Sequence, residues 1–449
     1  MVSGAVLKQC AEQSGYHQVG FSPLGYIVKT KERLKLANVL VIGSGAREHA
    51  IAAAFKKSPQ VDHVYCAPGN PGMKKDGIEL AAIDETDFKK LGDFSESHQI
   101  DLAFVGPEVP LAMGAVDTLQ KRGLNVFGPG QASACLESDK TFAKRFMKRN
   151  GIPTADFETF TDYDKAAAYA EKQSLPLVVK ENGLAAGKGV TIVTQRADVN
   201  PLLRSELEKS GEILIEQYLT GEEFSLMLFV GGDKRVILPI SQDHKKIHEG
   251  ETGPNTGGMG AYSPVPHITD EVLAETIKTV VDPTMAGLKN EGLEFAGTIY
   301  IGCMLTDDGI KVIEYNVRLG DPETQVLLPQ LKSDFYQVIT DLIDHKLPDM
   351  QWQETDYYLG VVVAAPGYPK APQQDIPLPA LPDNVYYAGV TSDNQKLFSS
   401  GGRIFTIVDH AKTLQAAQDK VYAELAKINL ADFYYRKDIG FRDLAKSRV

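Results

Sequence analysis

The stretch Lys180-Glu-Asn-Gly183-Leu-Ala-Ala-Gly187-Lys188-Gly189-Val190 constrains the fold of this chain more than any other segment. It has the glycines and the lysine of a phosphate-binding loop. However, only three residues separate Gly183 from Gly187, where a Walker loop needs four, and Gly189 stands where that loop needs Ser or Thr. The flanks differ too. Leu177-Val-Val-Lys180 reads as a buried strand and Val190-Thr-Ile-Val193 as a second one, so the loop joins two strands with no helix after it. A glycine-rich hairpin tip carrying a lysine can fold over a polyphosphate, its N–H groups and ammonium facing the anion. The segment therefore reads as a lid over a nucleotide.

At 449 residues the chain is long enough for two to four domains. Its net charge of -12, without any long Lys/Arg block, argues against nucleic acid or an anionic membrane surface as partner and favours small molecules. Cys10, Cys66, Cys135 and Cys303 lie far apart with no C-x-x-C pair, which suits a reducing cytoplasm better than a disulfide framework or zinc knuckle. No apolar run approaches the ~20 residues needed to cross a bilayer. Residues 1–36 lack the compact apolar segment of a secretory signal and read as an appended extension of unassigned role.

Strand Asn38-Val-Leu-Val-Ile42, turn Gly43-Ser-Gly45 and a helical run from Arg47 open an α/β unit, and short strands at 61–66, 102–105 and 126–127 alternate with helical stretches. This predicts a doubly wound parallel sheet over 37–138. A second region, 139–355, contains the lid module at about 155–222 and then longer strands of antiparallel character that form a catalytic sheet. Residues 356–449 read as a small α+β end domain.

Three further segments carry chemistry. The turn Gly43-x-Gly45-x-x-Glu48 is a poor dinucleotide site, since Glu48 replaces the third glycine and no acid ends the next strand. It is either a phosphate or carboxylate site at a helix start or a bare tight turn. In Glu314-Tyr-Asn316-Val-Arg318, residues two apart share a strand face. A carboxylate and an amide oxygen suit Mg²⁺ on a triphosphate and the guanidinium suits a transferring phosphoryl group, the alternative being a solvent-facing polar edge. Glu216-Gln-Tyr-Leu219 through Glu223 reads as an adenine hinge with an acid for ribose, or as an ordinary acidic loop. Thr252-Gly-Pro-Asn255-Thr-Gly-Gly-Met-Gly260-Ala-Tyr-Ser-Pro264 is too glycine-rich to build a core and reads as a ligand-wrapping loop, with a surface loop as competitor. His244 and His248, four apart with a lysine pair between them, do not complete a zinc motif.

Taken in order, these motifs resemble the ATP-grasp ligases, and within them the glycinamide ribonucleotide synthetase family. The match runs from residue 37 to 445. It includes Gly-x-Gly-x-Arg-Glu-His, Ala67-Pro-Gly-Asn70, Val105-Gly-Pro-Glu108, the glycine-lysine loop, Ser241-Gln-Asp-His-Lys245, the Thr252–Pro264 run, Gly320-Asp-Pro-Glu-Thr324 and Arg436-Lys-Asp-Ile-Gly440. The resemblance implies ligation of glycine to 5-phosphoribosylamine at the expense of ATP, through glycyl phosphate, with Mg²⁺ or Mn²⁺, in a cytoplasmic monomer or weak homodimer of purine synthesis. It implies that Lys180, Gly187, Lys188 and Gly189 hold ATP phosphates, Glu216 and Leu219 the adenine, Glu223 the ribose, Glu314 and Asn316 the metal, and Arg318 the transferring phosphoryl. Asp243 with Lys245, the loop Asn255, Thr256, Gly257 and Gly258, and Asp321 with Glu323 would lie where glycine and the amine meet. Gly45, Arg47, Asn70 and Glu108 would face the phosphoribosyl group.

Two departures from the family pattern stand out. Glu181 takes a position usually held by a small residue, and strand alternation predicts that it faces away from Lys180; residues 1–36 have no family counterpart. The rival readings are another ATP-grasp carboxylate–amine ligase with a different acceptor, a nicotinamide-dependent oxidoreductase, and a nucleotide-binding regulator without catalysis. The Asn255–Pro264 loop opposes the first, the missing ribose acid the second, and the set Lys188, Glu314, Asn316 and Arg318 the third.

Overall fold

The computed structural model describes residues 35–184 and 189–446. Most of the expected extension, together with Gly187 and Lys188, lies outside the described residues.

Strands β1 (Ala37–Gly43), β2 (Val61–Pro68), β3 (Glu79–Leu80), β4 (Leu102–Val105) and β5 (Asn125–Phe127) form one parallel sheet in the order β3-β2-β1-β4-β5. Strand β1 is apolar on both faces because both faces are covered. Leu40 and Ile42 pack with Leu91 and Leu119, whereas Val39 and Val41 pack with Ile51, Phe55 and Phe335. The doubly wound parallel sheet read from the sequence is the one observed.

The hairpin sheet follows as β6 (Phe157–Phe160), β7 (Leu177–Glu181), β8 (Val190–Val193) and β9 (Ile213–Gln217), ordered β6-β9-β7-β8 and antiparallel throughout. Helices Tyr163–Glu171 and Arg196–Ser210 cover it through a small core of Ala166, Ala170, Val179, Leu203 and Ile215. The predicted strand–loop–strand around Lys180 is thus present up to Leu184 and again from Gly189.

Strands β10 (Glu222–Gly231), β11 (Lys234–Ile237), β16 (Ala296–Thr306) and β17 (Gly309–Asn316) form an antiparallel sheet ordered β11-β10-β16-β17. Its pairing slips once. Gly302 opposes Glu314 but Cys303 opposes Val312, leaving Ile313 as the extra residue of a bulge.

A five-stranded sheet, β12-β15-β18-β22-β19, completes the molecule from β12 (Gln242–Asp243), β15 (Gly260–Ser263), β18 (Tyr357–Ala364), β19 (Val385–Tyr387) and β22 (Arg403–Ala411). Two small hairpins flank it: β13 (Lys246–His248) with β14 (Thr252–Asn255), and β20 (Val390–Asp393) with β21 (Lys396–Ser399). The 252–264 segment, expected to be wholly a ligand loop, therefore divides. Its first half lies in a partly exposed hairpin, but Met259 and the β15 residues Ala261 and Tyr262 after it are fully buried in the core. Gly260 permits this because a Cβ there would meet the Gly360 carbonyl oxygen at 2.6 Å.

Candidate functional site

The hairpin sheet, the β10–β17 sheet and the loops before β18 enclose a cavity of about 590 Å³. Nearly half of its lining residues are charged.

One wall is built by sheet register. Val178 sits opposite Glu216, so Lys180, two residues along β7, shares the face of Glu216. Lys180 Nζ lies 2.8 Å from Glu216 Oε2 and donates to the Ile313 carbonyl at 3.4 Å, a carbonyl at the β17 bulge. Lys144, from helix Lys140–Arg149, takes the other carboxylate oxygen at 3.0 Å. Burial opposes ionisation of Glu216, but Lys180 and Lys144 outweigh it and hold its carboxyl below the usual range. Burial pushes Lys144 down to about 8 against the pull of Glu216. Glu181 faces the other way and pairs with Lys209, as alternation predicts.

The opposite wall is β17. Glu314 and Asn316 share a face, but the strand ends at Asn316, and Arg318 reaches the cavity from the following turn. Its guanidinium donates to Asn316 Oδ1 at 3.1 Å and pairs with Glu137 Oε1 at 2.9 Å and Glu108 Oε2 at 3.3 Å. The common strand face expected for all three residues therefore holds for two, the third returning through its ion pairs. Burial raises the cost of charge on Glu314, yet Lys245, Lys180, Lys140 and Arg318 keep its carboxyl below the ordinary value. Glu108 drops to about 2, burial being overcome by Arg318 and Arg47.

The floor carries Asp243, Lys245, Glu223 and Glu323. Lys245 Nζ lies 3.3 Å from Glu223 Oε2. Glu323 accepts from Ser225 Oγ at 3.2 Å, and Ser225 in turn bonds the Tyr300 hydroxyl. Burial, with Glu323 and Glu223 nearby, pushes Asp243 up to about 7 despite the opposing Lys245. At the rim, Arg403 of β22 donates to the carbonyls of Gly257 (2.6 Å) and Asp321 (2.8 Å) and pairs with the Asp321 carboxylate at 2.9 Å.

The cavity brings together Lys180, Gly189, Glu216, Leu219, Glu223, Asp243, Lys245, Asn255, Thr256, Gly257, Glu314, Asn316, Arg318, Asp321, Glu323, Arg47 and Glu108. Three expected residues lie off its lining. Gly258 packs against Pro322. The Gly45 N–H is taken by Glu48 Oε2 at 2.7 Å, so the chain's own carboxylate fills that helix start. Asn70 spends its amide on the carbonyls of Ser44 and Tyr387 and on the Gly72 N–H. Conversely, Glu137, Lys140, Lys144, Tyr300, Arg403 and Arg442 line the cavity although sequence reading passed over them. His244, set aside as a zinc ligand, accepts the Gly440 N–H on Nε2, so its Nδ1 proton goes to Glu251 at 2.8 Å.

The Glu314 carboxylate and Asn316 amide oxygen suit a divalent cation of hard character. Two protein oxygens beside a cation-rich wall leave room for phosphate oxygens and water as the remaining ligands.

The whole architecture has known counterparts. Family models described as the N domain, the ATP-grasp (A) domain and the C domain of phosphoribosylglycinamide synthetase match residues 37–137, 138–324 and 358–442. The chain is 48% identical over 408 residues to a phosphoribosylamine–glycine ligase of Lactococcus lactis subsp. lactis, covering 90% of this chain and 99% of that one. The crystal structure of a phosphoribosylamine–glycine ligase from Thermotoga maritima superposes with a TM-score of 0.77 at 35% identity, covering 90% of this chain and 100% of that one. A biotin carboxylase domain of Hydrogenobacter thermophilus 2-oxoglutarate carboxylase, solved with MgADP, shares the fold at a TM-score of 0.67 and 15% identity, covering 88% and 90% of the two chains. With all three models matched in order and near-complete coverage of its relatives, the chain belongs to the phosphoribosylglycinamide synthetase family.

Proposed function

We propose that this chain ligates glycine to 5-phosphoribosylamine with ATP, releasing glycinamide ribonucleotide, ADP and phosphate, as its family membership and the names of its relatives support. The observation that carries the reading is the cavity's division into a cationic wall and a mixed acid–base floor. Lys180 and Lys140 on one side, with Arg318 on the other, suit a triphosphate whose γ-phosphoryl is transferred largely by positioning and charge stabilisation. A carboxylate oxygen of glycine attacks the γ-phosphorus and ADP leaves. The amine of phosphoribosylamine then attacks the acyl carbon of glycyl phosphate, and inorganic phosphate departs.

Each residue has a part. Arg318, held in place by Glu137 and Glu108, suits the transferring phosphoryl group with its guanidinium donors. Lys245 is held protonated by Asp243 and Glu223 and suits the glycine carboxylate. Asp243, poised at about 7, can accept the proton shed by the attacking amine. Glu216 and Leu219 suit the adenine, Glu223 the ribose, and Asn255, Thr256, Asp321 and Glu323 the meeting point of the two acceptor substrates. Gly187 and Lys188 are assigned to the phosphates by resemblance. The phosphoribosyl group is assigned to Arg47 and Glu108, which line the cavity, and to Gly45 and Asn70 by resemblance alone. Glu314 and Asn316 would hold Mg²⁺ or Mn²⁺, which when bound neutralises charge on the phosphates.

The test is ADP release with ATP, Mg²⁺, glycine and phosphoribosylamine generated in situ. Release should require all four. Turnover with another carboxylic or amino acid but not glycine would sink the substrate assignment.

A further inference from the structure

Lys144 is a cation that the proposed chemistry does not use, yet it is nearly inaccessible, its side chain 3% exposed. Its Nζ is 3.0 Å from Glu216 Oε1 and donates to Thr154 Oγ1 at 2.6 Å; Thr154 passes its own proton to the Val312 carbonyl at 2.7 Å. Lys144 is thereby fixed on the Glu216 side of the wall. The second oxygen of Glu216 is 2.8 Å from Lys180. Two ammonium groups therefore share one carboxylate.

From this geometry we infer that Lys144 is a charge-balancing positioning residue: by half-neutralising Glu216, it leaves Lys180 with an uncompensated positive charge for the nucleotide's phosphates. The charge count is simple. Lys144, Glu216 and Lys180 sum to one net positive charge, whereas Glu216 and Lys180 alone sum to zero. Both groups are buried, so solvent screens the difference only weakly. The Ile313 carbonyl takes a second Lys180 proton only at 3.4 Å, so that ammonium retains donor capacity directed into the cavity. The inference rests on the proposal that Lys180 meets ATP phosphates.

A purely structural Lys144 would prop helix Lys140–Arg149 against β9 and affect every ligand alike. Calorimetric titration of the full chain with ATP and ADP, and ligand-detected NMR with adenosine, separate the two roles. Lys144→Met should weaken ATP and ADP roughly tenfold or more, since it removes a charge beside a weakly screened phosphate site, and leave adenosine within about twofold by the same argument. The double variant Lys144→Met with Glu216→Gln restores the single positive charge and should regain most of the preference for ATP over adenosine lost in Lys144→Met, the adenosine measurement cancelling any change at the adenine end. Equal losses for adenosine and ATP, or a double variant whose preference for ATP over adenosine stays as low as that of Lys144→Met, would overturn the inference. Lys180→Met serves as the control. If it weakens ATP while Lys144→Met does not, only the present inference falls; if Lys180→Met leaves ATP binding unchanged, the phosphate assignment of Lys180 falls with it.

Discussion

Glu314 is a half-buried carboxylate kept ionised against desolvation by the field of Lys245, Lys180, Lys140 and Arg318. Such a group is ready to bind a cation without first losing a proton. Glu314→Gln keeps the shape and removes the charge, so it should lower kcat by roughly a hundredfold, the loss typical when metal coordination is disturbed. Steady-state rates over a Mg²⁺ titration check this, and near-normal turnover at saturating metal would refute the metal role. Glu314 and Asn316 were legible because strand alternation alone places them together. Lys144 and Glu137 were not, because the partners that give them meaning, Glu216 and Arg318, lie far along the chain. One signal was available for Lys144. It shares the helix stripe of Thr141 and Met147, both buried, so a lysine stands where the apolar face demands a hydrophobic residue.

At the scale of the element, the β7–β8 hairpin and β17 were readable because their apolar runs and turns are local. The 252–264 segment was misjudged in part because glycine density describes flexibility and not what closes over it. Its Met-Gly-Ala-Tyr half is short, but the Tyr262 hydroxyl lies within hydrogen-bond reach of both Asp443 and Gln242 and has one proton to share between them, anchoring β15 against the final helix Phe441–Lys446. Gly258 marks the point where the two halves part, with φ of 112° and space for a Cβ blocked by Pro322 Cδ at 2.4 Å. Gly258→Ala should therefore cost about 2 kcal/mol from backbone strain and contact combined. Thermal melts should show a loss of several degrees. Because Arg403 grips the adjacent Gly257 carbonyl, the KM for glycine should rise in the same variant.

At the scale of the whole molecule, Glu251 gathers Arg436, Arg442 and His244 into one charge cluster that ties the 244–251 segment to the end of the chain. Arg436 is fully buried, and Glu251 lies 2.8 Å from it, 3.2 Å from Arg442 and 2.8 Å from His244. Burial disfavours the carboxylate, yet His244 and the two arginines outweigh it and bring Glu251 down to about 2. A depressed carboxyl pKa stabilises the fold fully above the unfolded value near 4.5, and that contribution disappears as the pH falls from there towards 2. After allowance for the partial exposure of Glu251, it amounts to roughly 1–2 kcal/mol. Glu251→Gln should lower the melting temperature at pH 7 and flatten its fall between pH 4.5 and 2. An unchanged acid limb would count against the cluster. The sequence displayed Arg436 and Gly440 as family motifs, but their bond to the 244–251 segment is a product of tertiary folding alone.

The five-stranded C-terminal sheet has a consequence for how the protein can be divided. Strands β12 and β15 come from before residue 264, while β18, β19 and β22 follow residue 356. The module that sequence comparison recognises at 358–442 is therefore not autonomous. Cut out by itself, it would expose the backbone edge of β18 that β15 now covers, a ready template for pairing between copies. A family model matches that stretch by itself, whereas hydrogen bonding makes it a borrower of strands from its neighbour. Fragments or chimaeras of this enzyme family should accordingly be drawn to carry residues 242–263 along with the C-terminal segment.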